Sequence, residues 1–406
     1  MTKEHWLSIL GIGEDGVEGL SAAARGLLAD AGLVVGGARH LGLAATLIRG
    51  ETMAWPSPIH DAFPAILARR GERVAVVASG DPFWHGIGSR LAPLLAPEEY
   101  RCLPAASCAS LAAAKLGWAL HETPVISCCG LPVARLVPHL HPGARLFVLS
   151  AGAETPGDVA TLLRARGFGP SRLHVLEALG GPRERHRQFD ALVDPPDAIA
   201  ALNMLAIELR AAAGARIVPR APGLPDEDYA HDGQITKREI RSQTIAALAP
   251  SPGEILWDIG CGSGSIAIEW MLSHPVNRAI GIEREAARAE RARGNALALG
   301  VPALDVRLGE APEALAGLAA PDAVFIGGGA RRPGLIRACW DALPPGGRIV
   351  ANAVTIETEA ILLAVRATHG GTVSRLAVER LDAIGALHAF RPAMSVTQWR
   401  AVKPCR

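Results

Sequence analysis

The chain has 406 residues, 49% of them hydrophobic, and a formal net charge of +1. That length asks for two or three domains with large buried cores, and the balanced charge leaves no basic face for nucleic acid. Seven scattered cysteines make no C-x-x-C pair and no zinc-spaced Cys/His cluster, and no apolar stretch reaches membrane-spanning length, so the composition points to a metal-free protein of a reducing, cytoplasmic setting with no membrane partner.

The stretch Trp6-Leu7-Ser8-Ile9-Leu10 reads as a buried strand that opens into Gly11-Ile12-Gly13-Glu14-Asp15-Gly16, a letter-for-letter G-x-G-x-x-G. A dinucleotide site also needs an acid at the end of the second strand. Here Leu33-Val34-Val35 runs into Gly36-Gly37, so the match does not support NAD. Arg73–Ala78 is a parallel-type strand followed by the small residues Ser79-Gly80-Asp81-Pro82, and Pro104-Ala105-Ala106-Ser107-Cys108 leads into an Ala-rich helix reaching Leu116. Strands are expected at 124–127, 145–149 and 172–176, with a helix over 156–166. The Arg-rich segment Pro182–Gln188 is expected as a solvated hairpin or loop, Asp194-Pro195-Pro196-Asp197 as a loop, and Ala198–Ala213 as a helix.

Gly11-x-Gly13 with Gly16, then Ser79-Gly80-Asp81-Pro82, then Pro104-x-x-Ser107 resemble, in that order and spacing, the class III tetrapyrrole methyltransferases of cobalamin and sirohaem synthesis, over roughly residues 5–210. Val34-Val35-Gly36-Gly37-x-Arg39 and Trp84-His85-Gly86 point to the branch that methylates C5 of the corrin precursor. The resemblance implies two α/β subdomains with S-adenosylmethionine folded between them and held largely by backbone. It carries a cofactor role onto Gly13, Ser79, Gly80, Asp81, Ser107 and Cys108. The chain departs from the family at Glu14, where a proline is common, and at Ala105 and Cys108 within the usual Pro-Gly-x-Ser-Ser.

Val218–Asp226 holds three prolines and a glycine and marks a boundary. The expected organisation is a domain over 1–215, a Pro-rich linker over 216–228 and a second domain over 229–406. The second domain opens on a polar lead-in, Tyr229–Glu239, in which Thr236 and Glu239 have capping-box spacing. Leu256–Ile259 is a buried strand; Asp258 sits near its end, and Gly260, Gly262 and Gly264 form a turn into a helix. Glu283 lies nineteen residues past Gly264 at the end of the next apolar run, where a carboxylate can accept both ribose hydroxyl protons. Further strands are expected at 304–308, 321–326 and 348–354, with a helix over 284–299.

Asp258-x-Gly260-x-Gly262-x-Gly264 resembles the class I S-adenosylmethionine methyltransferases and differs in spacing from the NAD fingerprint. His231–Glu239, Glu310–Leu315, Phe325-Ile326-Gly327-Gly328 and Ala351-Asn352-Ala353-Val354-x-x-Glu357 resemble the branch that methylates C15 and decarboxylates the C12 acetate. The resemblance implies a Rossmann-like α/β domain in which Gly260, Gly262 and Gly264 face the methionine part of the cofactor, with Asp258, Cys261 and Ser263 also in the cofactor site. Glu283 would bind its ribose, Glu310 and Ala311 its adenine, and Thr236 would reach it from the lead-in. His231, Arg238, Arg241 and Asn352 are candidates to hold the acetate or donate the proton that decarboxylation needs. The chain as a whole is thus expected to carry two unrelated methyltransferase folds, one S-adenosylmethionine site in each, a small-molecule tetrapyrrole substrate and a homo-oligomeric state, dimer or tetramer. The alternatives are another tetrapyrrole as acceptor, a half that only binds, or an RNA or protein nitrogen as acceptor. Gly327-Gly328-Gly329 argues against the last, because it stands where an amino methyltransferase carries a Pro-Pro-aromatic motif.

Overall fold

Continuous apolar runs of four to six residues dominate the first hundred positions, as expected for parallel strands buried on both faces. In the computed structural model, which describes residues 5–405, β1 (Leu7–Ile12), β2 (Leu33–Gly36), β3 (Glu51–Ala54), β4 (Val74–Ser79) and β5 (Tyr100–Leu103) form an all-parallel sheet in the order β3-β2-β4-β1-β5. All six residues of β1 are buried. The carboxyl ends of β1, β4 and β5 are neighbours, which brings together three loops far apart in sequence.

A second sheet follows: β6 (Val125–Ser127), β7 (Arg145–Leu149), β8 (Arg172–Glu177), β9 (Arg185–Asp190) and β10 (Asn203–Glu208), ordered β6-β7-β10-β8-β9. The helix expected over Ala198–Ala213 is not formed; β10 takes its place, antiparallel between β7 and β8. Its run Met204-Leu205-Ala206-Ile207 is wholly buried, and a central strand covered on both faces has the same unbroken apolar look as a buried helix segment. The Arg-rich segment is a hairpin arm rather than an unpaired loop. The β9 residues Arg185 and Arg187 converge on Glu177 of β8, a carboxylate with no exposure.

The remaining strands form a seven-stranded sheet and a hairpin. β11 (Ile255–Ile259), β12 (Arg278–Glu283), β13 (Asp305–Leu308), β14 (Ala323–Ile326) and β15 (Arg348–Ala353) are parallel, and β16 (Thr372–Leu376) and β19 (Val396–Val402) close the sheet antiparallel, in the order β13-β12-β11-β14-β15-β19-β16. β17 (Glu379–Ile384) and β18 (Leu387–Pro392) pair only with each other. Strand order reverses between β11 and β14, which makes the carboxyl end of β11 a switch point where open α/β sheets hold ligands.

Backbone contacts divide the chain into two units, one running to Val133 and resuming over His141–Ala215, the other made of Ala134–Leu140 and the chain from Arg216. The Pro-rich stretch 216–228 belongs to the second unit and is tied down there. Gly223 and Leu224 donate their N–H groups to Glu269, at 2.8 and 3.0 Å. Glu269 lies in the loop helix Ser265–Ser273, which has eight buried residues of nine and follows the glycine turn.

The lead-in helix Arg238–Leu248 starts one residue later than a Thr236 capping box requires. Its N-cap is Lys237, with no side-chain cap. Glu239 pairs with Arg380 of the hairpin instead, and the Thr236 carbonyl accepts from Arg241 Nη1 at 2.6 Å. Arg241 is fully buried. Its Nε donates to Glu269 at 2.6 Å, its Nη1 also to Asp226 at 3.0 Å, its Nη2 to the Leu224 carbonyl, and its guanidinium lies 4.8 Å from the centre of the Tyr229 ring. Tyr229 Oη donates to the same Glu269 carboxylate at 3.1 Å, and burial, with Glu269 beside it, pushes that phenol well above its ordinary pKa. Removing one partner of such a buried pair costs about 3–5 kcal/mol. Arg241→Met therefore lowers the melting temperature of the full chain in calorimetry, and Arg241→Lys does not restore it, because an ammonium cannot serve Glu269, Asp226 and two carbonyls in one plane.

Candidate active sites

In the first unit the three loops are joined by backbone hydrogen bonds. Gly80 N–H donates to the Ile12 carbonyl and Ala105 N–H to the Gly80 carbonyl, both at 3.1 Å. A side chain at Gly11 would put its Cβ 1.9 Å from the Gly80 oxygen, so the close approach of the loops requires glycine there. Gly80 has φ of +52°. Gly13 closes its own turn by accepting from Gly16 N–H at 3.1 Å. Asp81 accepts from Phe83 N–H at 2.8 Å, and Ser107 caps the helix Cys108–Leu116 by accepting from Ser110 N–H at 3.1 Å. Burial raises the Cys108 thiol pKa, which keeps it a neutral thiol.

A cleft of about 540 Å³ opens on this face, lined by Asp81, Trp84, Ala105, Ser107, Ser110 and the segment Leu120–Val125 among others. Asp81 and Ser107 are the expected residues that line it; Gly13, Ser79, Gly80 and Cys108 do not. Ser79 is engaged elsewhere. Its Oγ lies 2.8 Å from Arg39 Nη2 and 2.7 Å from His40 Nε2, and Arg39 also pairs with Glu14. Burial and the neighbouring Arg39 hold the His40 pKa down to about 4, so the ring is neutral near pH 7. No spacing signal in the sequence marks His40.

In the second unit the glycine turn sits at the switch point. Gly260, Gly262 and Gly264 have φ of +72°, +57° and +77°, the left-handed region. Cβ atoms built at Gly260 and Gly264 would meet Gly328 N and Ala292 Cβ at 3.2 and 3.1 Å; at Gly262 the nearest atom is the Gln234 carbonyl oxygen at 3.9 Å. The turn is therefore packed at its two ends and open in its middle. Glu283 is 5% exposed and pins it, accepting from Gly262 N–H at 2.9 Å through one oxygen and from Glu285 N–H at 3.0 Å through the other. Asp258 accepts from Ala267 N–H at 3.1 Å in the first turn of the loop helix. Burial, with a contribution from Glu283, pushes its carboxyl pKa up to about 7.

The Oδ1 atom of Asp258 and the Oγ atom of Ser263 are buried and have no hydrogen-bond partner. Unpaired polar atoms of this kind are costly in a native interior unless they serve a ligand. Together with the open middle of the turn, they suit a ligand carrying several polar groups, as the methionine and ribose parts of S-adenosylmethionine do. Cys261 is buried against Gly281, and burial drives its thiol far above the ordinary range, which makes it packing rather than a nucleophile. Ala311 is 6% exposed in the turn after β13, and Glu310 is paired with Arg332.

The four candidates for decarboxylation are not equivalent. Arg241 is corrected from carboxylate holder to structural tie, since its guanidinium is consumed by Glu269, Asp226, Leu224 and Thr236. Asn352 donates to Thr244 Oγ1 and accepts from Gln398 Nε2, both at 3.0 Å, at the carboxyl end of β15. His231 accepts from Gly233 N–H through Nδ1 at 3.0 Å. Arg238 is exposed on the first turn of the lead-in helix. Among the described residues no group of three or more His, Cys, Asp or Glu side chains could hold a metal, and no helix is long and apolar enough to cross a membrane.

Residues 7–191 match the model of the tetrapyrrole (corrin/porphyrin) methylases, and residues 227–403 match that of the precorrin methyltransferase domain. A precorrin-6Y C(5,15)-methyltransferase (decarboxylating) of a Sinorhizobium species is 52% identical over 98% of this chain and 96% of its own. Its namesake from Mycobacterium tuberculosis H37Rv is 42% identical over 97% and 99%. The crystal structure of the C-terminal domain of precorrin-6Y C5,15-methyltransferase from Rhodobacter capsulatus is 44% identical, with a TM-score of 0.43, and spans 45% of this chain and 99% of that one. With a tetrapyrrole methylase fold in its first half, a glycine-turn α/β sheet in its second and such identity along its length, the chain belongs to the precorrin-6Y C(5,15)-methyltransferase (decarboxylating) family.

Proposed function

We propose that this chain transfers two methyl groups from S-adenosylmethionine, the methyl donor of the family, to C5 and C15 of precorrin-6Y and decarboxylates its C12 acetate, yielding precorrin-8 in cobalamin biosynthesis. Each unit holds its own donor. The first unit carries C5 methylation and the second C15 methylation with decarboxylation. The observation that carries the second site is the pinned, open-centred glycine turn with the unpaired Asp258 Oδ1 and Ser263 Oγ beside it.

The donor supplies a sulfonium-bound methyl group that leaves with no electron pair, in line with an attacking carbon. The reduced macrocycle has enamine-like carbons that are already nucleophilic, so the protein's task is alignment and exclusion of water. In the second unit Glu283 holds the turn by one lone pair per oxygen and keeps the others for two ribose hydroxyls. In the first, backbone groups of the three joined loops present a fixed surface, with Asp81 and Ser107 on the cleft wall. Decarboxylation breaks the bond between the acetate methylene and its carboxyl carbon; CO₂ leaves, the electron pair enters the ring, and a proton completes the methyl group. Arg238 and Asn352 are the candidates to hold the carboxylate, and His231 is the candidate to donate the proton.

The chain is read as a dimer or tetramer. The β17–β18 hairpin exposes Leu381, Ile384, Leu387 and Phe390, each more than half accessible, and such patches mark association surfaces.

Equilibrium dialysis with labelled S-adenosylmethionine should give two donors per chain. Gly262→Val should bind one, because it puts a β-branched side chain at φ +57° in the open turn; Gly80→Val should also bind one, because its Cβ would fall 2.9 Å from the Ala106 carbonyl. A single donor on the unaltered chain would refute the double site. Arg238→Ala should lower CO₂ release at least tenfold more than it lowers methylation; equal losses would remove its role.

The raised Asp258 carboxyl sets a pH test. An acid raised from 3.8 to about 7 on folding contributes stability below about pH 4 and loses it as pH rises through 7. Calorimetry on the donor-free proteins should therefore show Asp258→Asn gaining stability relative to the unaltered chain as pH rises across that window, the difference isolating Asp258 from the opposite contribution of the lowered His40. A cationic donor favours the carboxylate, so its affinity for the second unit should fall as pH drops below about 7, and Asp258→Asn should abolish that dependence.

A further inference from the structure

Asn295 lies inside the flanking helix Ala286–Ala298 and is 4% exposed, and nothing in the reaction outlined above uses it. Its amide is nevertheless engaged on both faces of the donor site. Oδ1 accepts from Ala230 N–H at 2.8 Å, and Nδ2 donates to the Ala230 carbonyl and to the Ser263 carbonyl, each at 2.9 Å. Ala230 is the second residue of the polar lead-in, and Ser263 lies within the glycine turn.

Two further observations define what this amide joins. The flanking helix packs directly on the turn, since a Cβ at Gly264 would lie 3.1 Å from Ala292 Cβ. The lead-in faces the open middle of the turn, with the Gln234 carbonyl 3.9 Å from a Cβ built on Gly262. The same helix also grips the lead-in at Asp232, which accepts from Arg288 Nε at 2.8 Å and pairs with Arg291 at 3.3 Å. That outer pair is accessible to solvent, where ion pairs contribute little. The Asn295 contacts are buried, and there an unmet carbonyl or N–H is expensive.

We infer that Asn295 is a positioning residue of the methyl-donor site in the second unit, fixing the separation between the lead-in and the glycine turn so that the donor meets a preformed gap. Ser263 is the residue through which this acts: its carbonyl is held by Asn295 while its Oγ, buried like Asp258 Oδ1, is left without a partner. Only an amide satisfies the site, because one acceptor and two donors are needed on a single short side chain. The inference rests on the reading of the second unit as a donor site.

The test measures donor binding and both methylations on the full chain. Asn295→Ala should weaken donor affinity at the second unit about tenfold or more and raise the S-adenosylmethionine KM of C15 methylation. It should leave kcat at saturating donor and all constants of C5 methylation within about twofold, an error margin well inside the tenfold effect sought. Asn295→Asp, which keeps the size of the side chain and the acceptor for Ala230 N–H but loses both donors, should behave like Asn295→Ala. A merely structural role would reduce the number of binding sites in proportion to the folded protein lost and leave the Kd of the remainder unaltered. That result, or unchanged affinity in both variants, overturns the inference. A failure of the underlying reading looks different, since the unaltered chain would then bind a single donor.

Discussion

One buried carboxylate organises the second unit. Glu269 collects four donors from three directions: Arg241 Nε from the lead-in helix, Tyr229 Oη from the lead-in itself, and the N–H groups of Gly223 and Leu224 from the proline-rich strap. Because Glu269 is carried by the helix that begins at Ser265, everything it gathers is placed relative to the glycine turn. The ion pair is not a source of net stability in proportion to its charge, since desolvation offsets most of the attraction. What it supplies is registry. The strap and the lead-in have one position in which those donors are satisfied, and the lead-in then lies across the open middle of the turn.

The two units are shaped by different materials. In the second, carboxylates do the shaping: Glu283 pins the turn from β12, and Asp258 receives the first turn of the following helix. In the first, the loops after β1, β4 and β5 are tied to each other by backbone, and glycine at 11 is what lets them touch. This accords with a site of the second kind that reads clearly as acids and glycines at fixed spacing, and a site of the first kind that leaves only small residues behind as its trace.

The glycine turn, its acid and the carboxylate at 283 were legible because positive φ, close packing and a strand-end carboxylate each restrict residue type. The buried parallel strands β1, β2, β4, β11, β12, β14 and β15 were legible because burial on both faces writes continuous apolar runs. β10 was misread because that signal does not distinguish a central strand from a buried helix. β3, β16 and the β17–β18 hairpin went unread because their residues are largely accessible and carry no face pattern, and β5 because its four residues are all only partly buried. Arg241 looked like a ligand-facing cation because arginine type alone does not say which way a helix turns. A signal was present in Glu269, a lone charge within Ile266–Leu272, since a charge in an otherwise buried helix demands a partner. Asn295 had no such marker; an asparagine in a polar, Ala-rich helix is unremarkable until its partners are seen.

The pair of hydrogen bonds that runs from Ile12 through Gly80 to Ala105 makes the three loops of the first unit behave as a single stacked layer. A layer of this kind tolerates exchange of side chains far better than change of length. A residue inserted into any one loop would displace its carbonyl or N–H by about 3.3 Å, the rise of an extended residue, and would unseat the other two. Variation at this face is therefore channelled into side-chain identity, as at Glu14 and Cys108, while the number of residues in each loop is held by the neighbours it must reach.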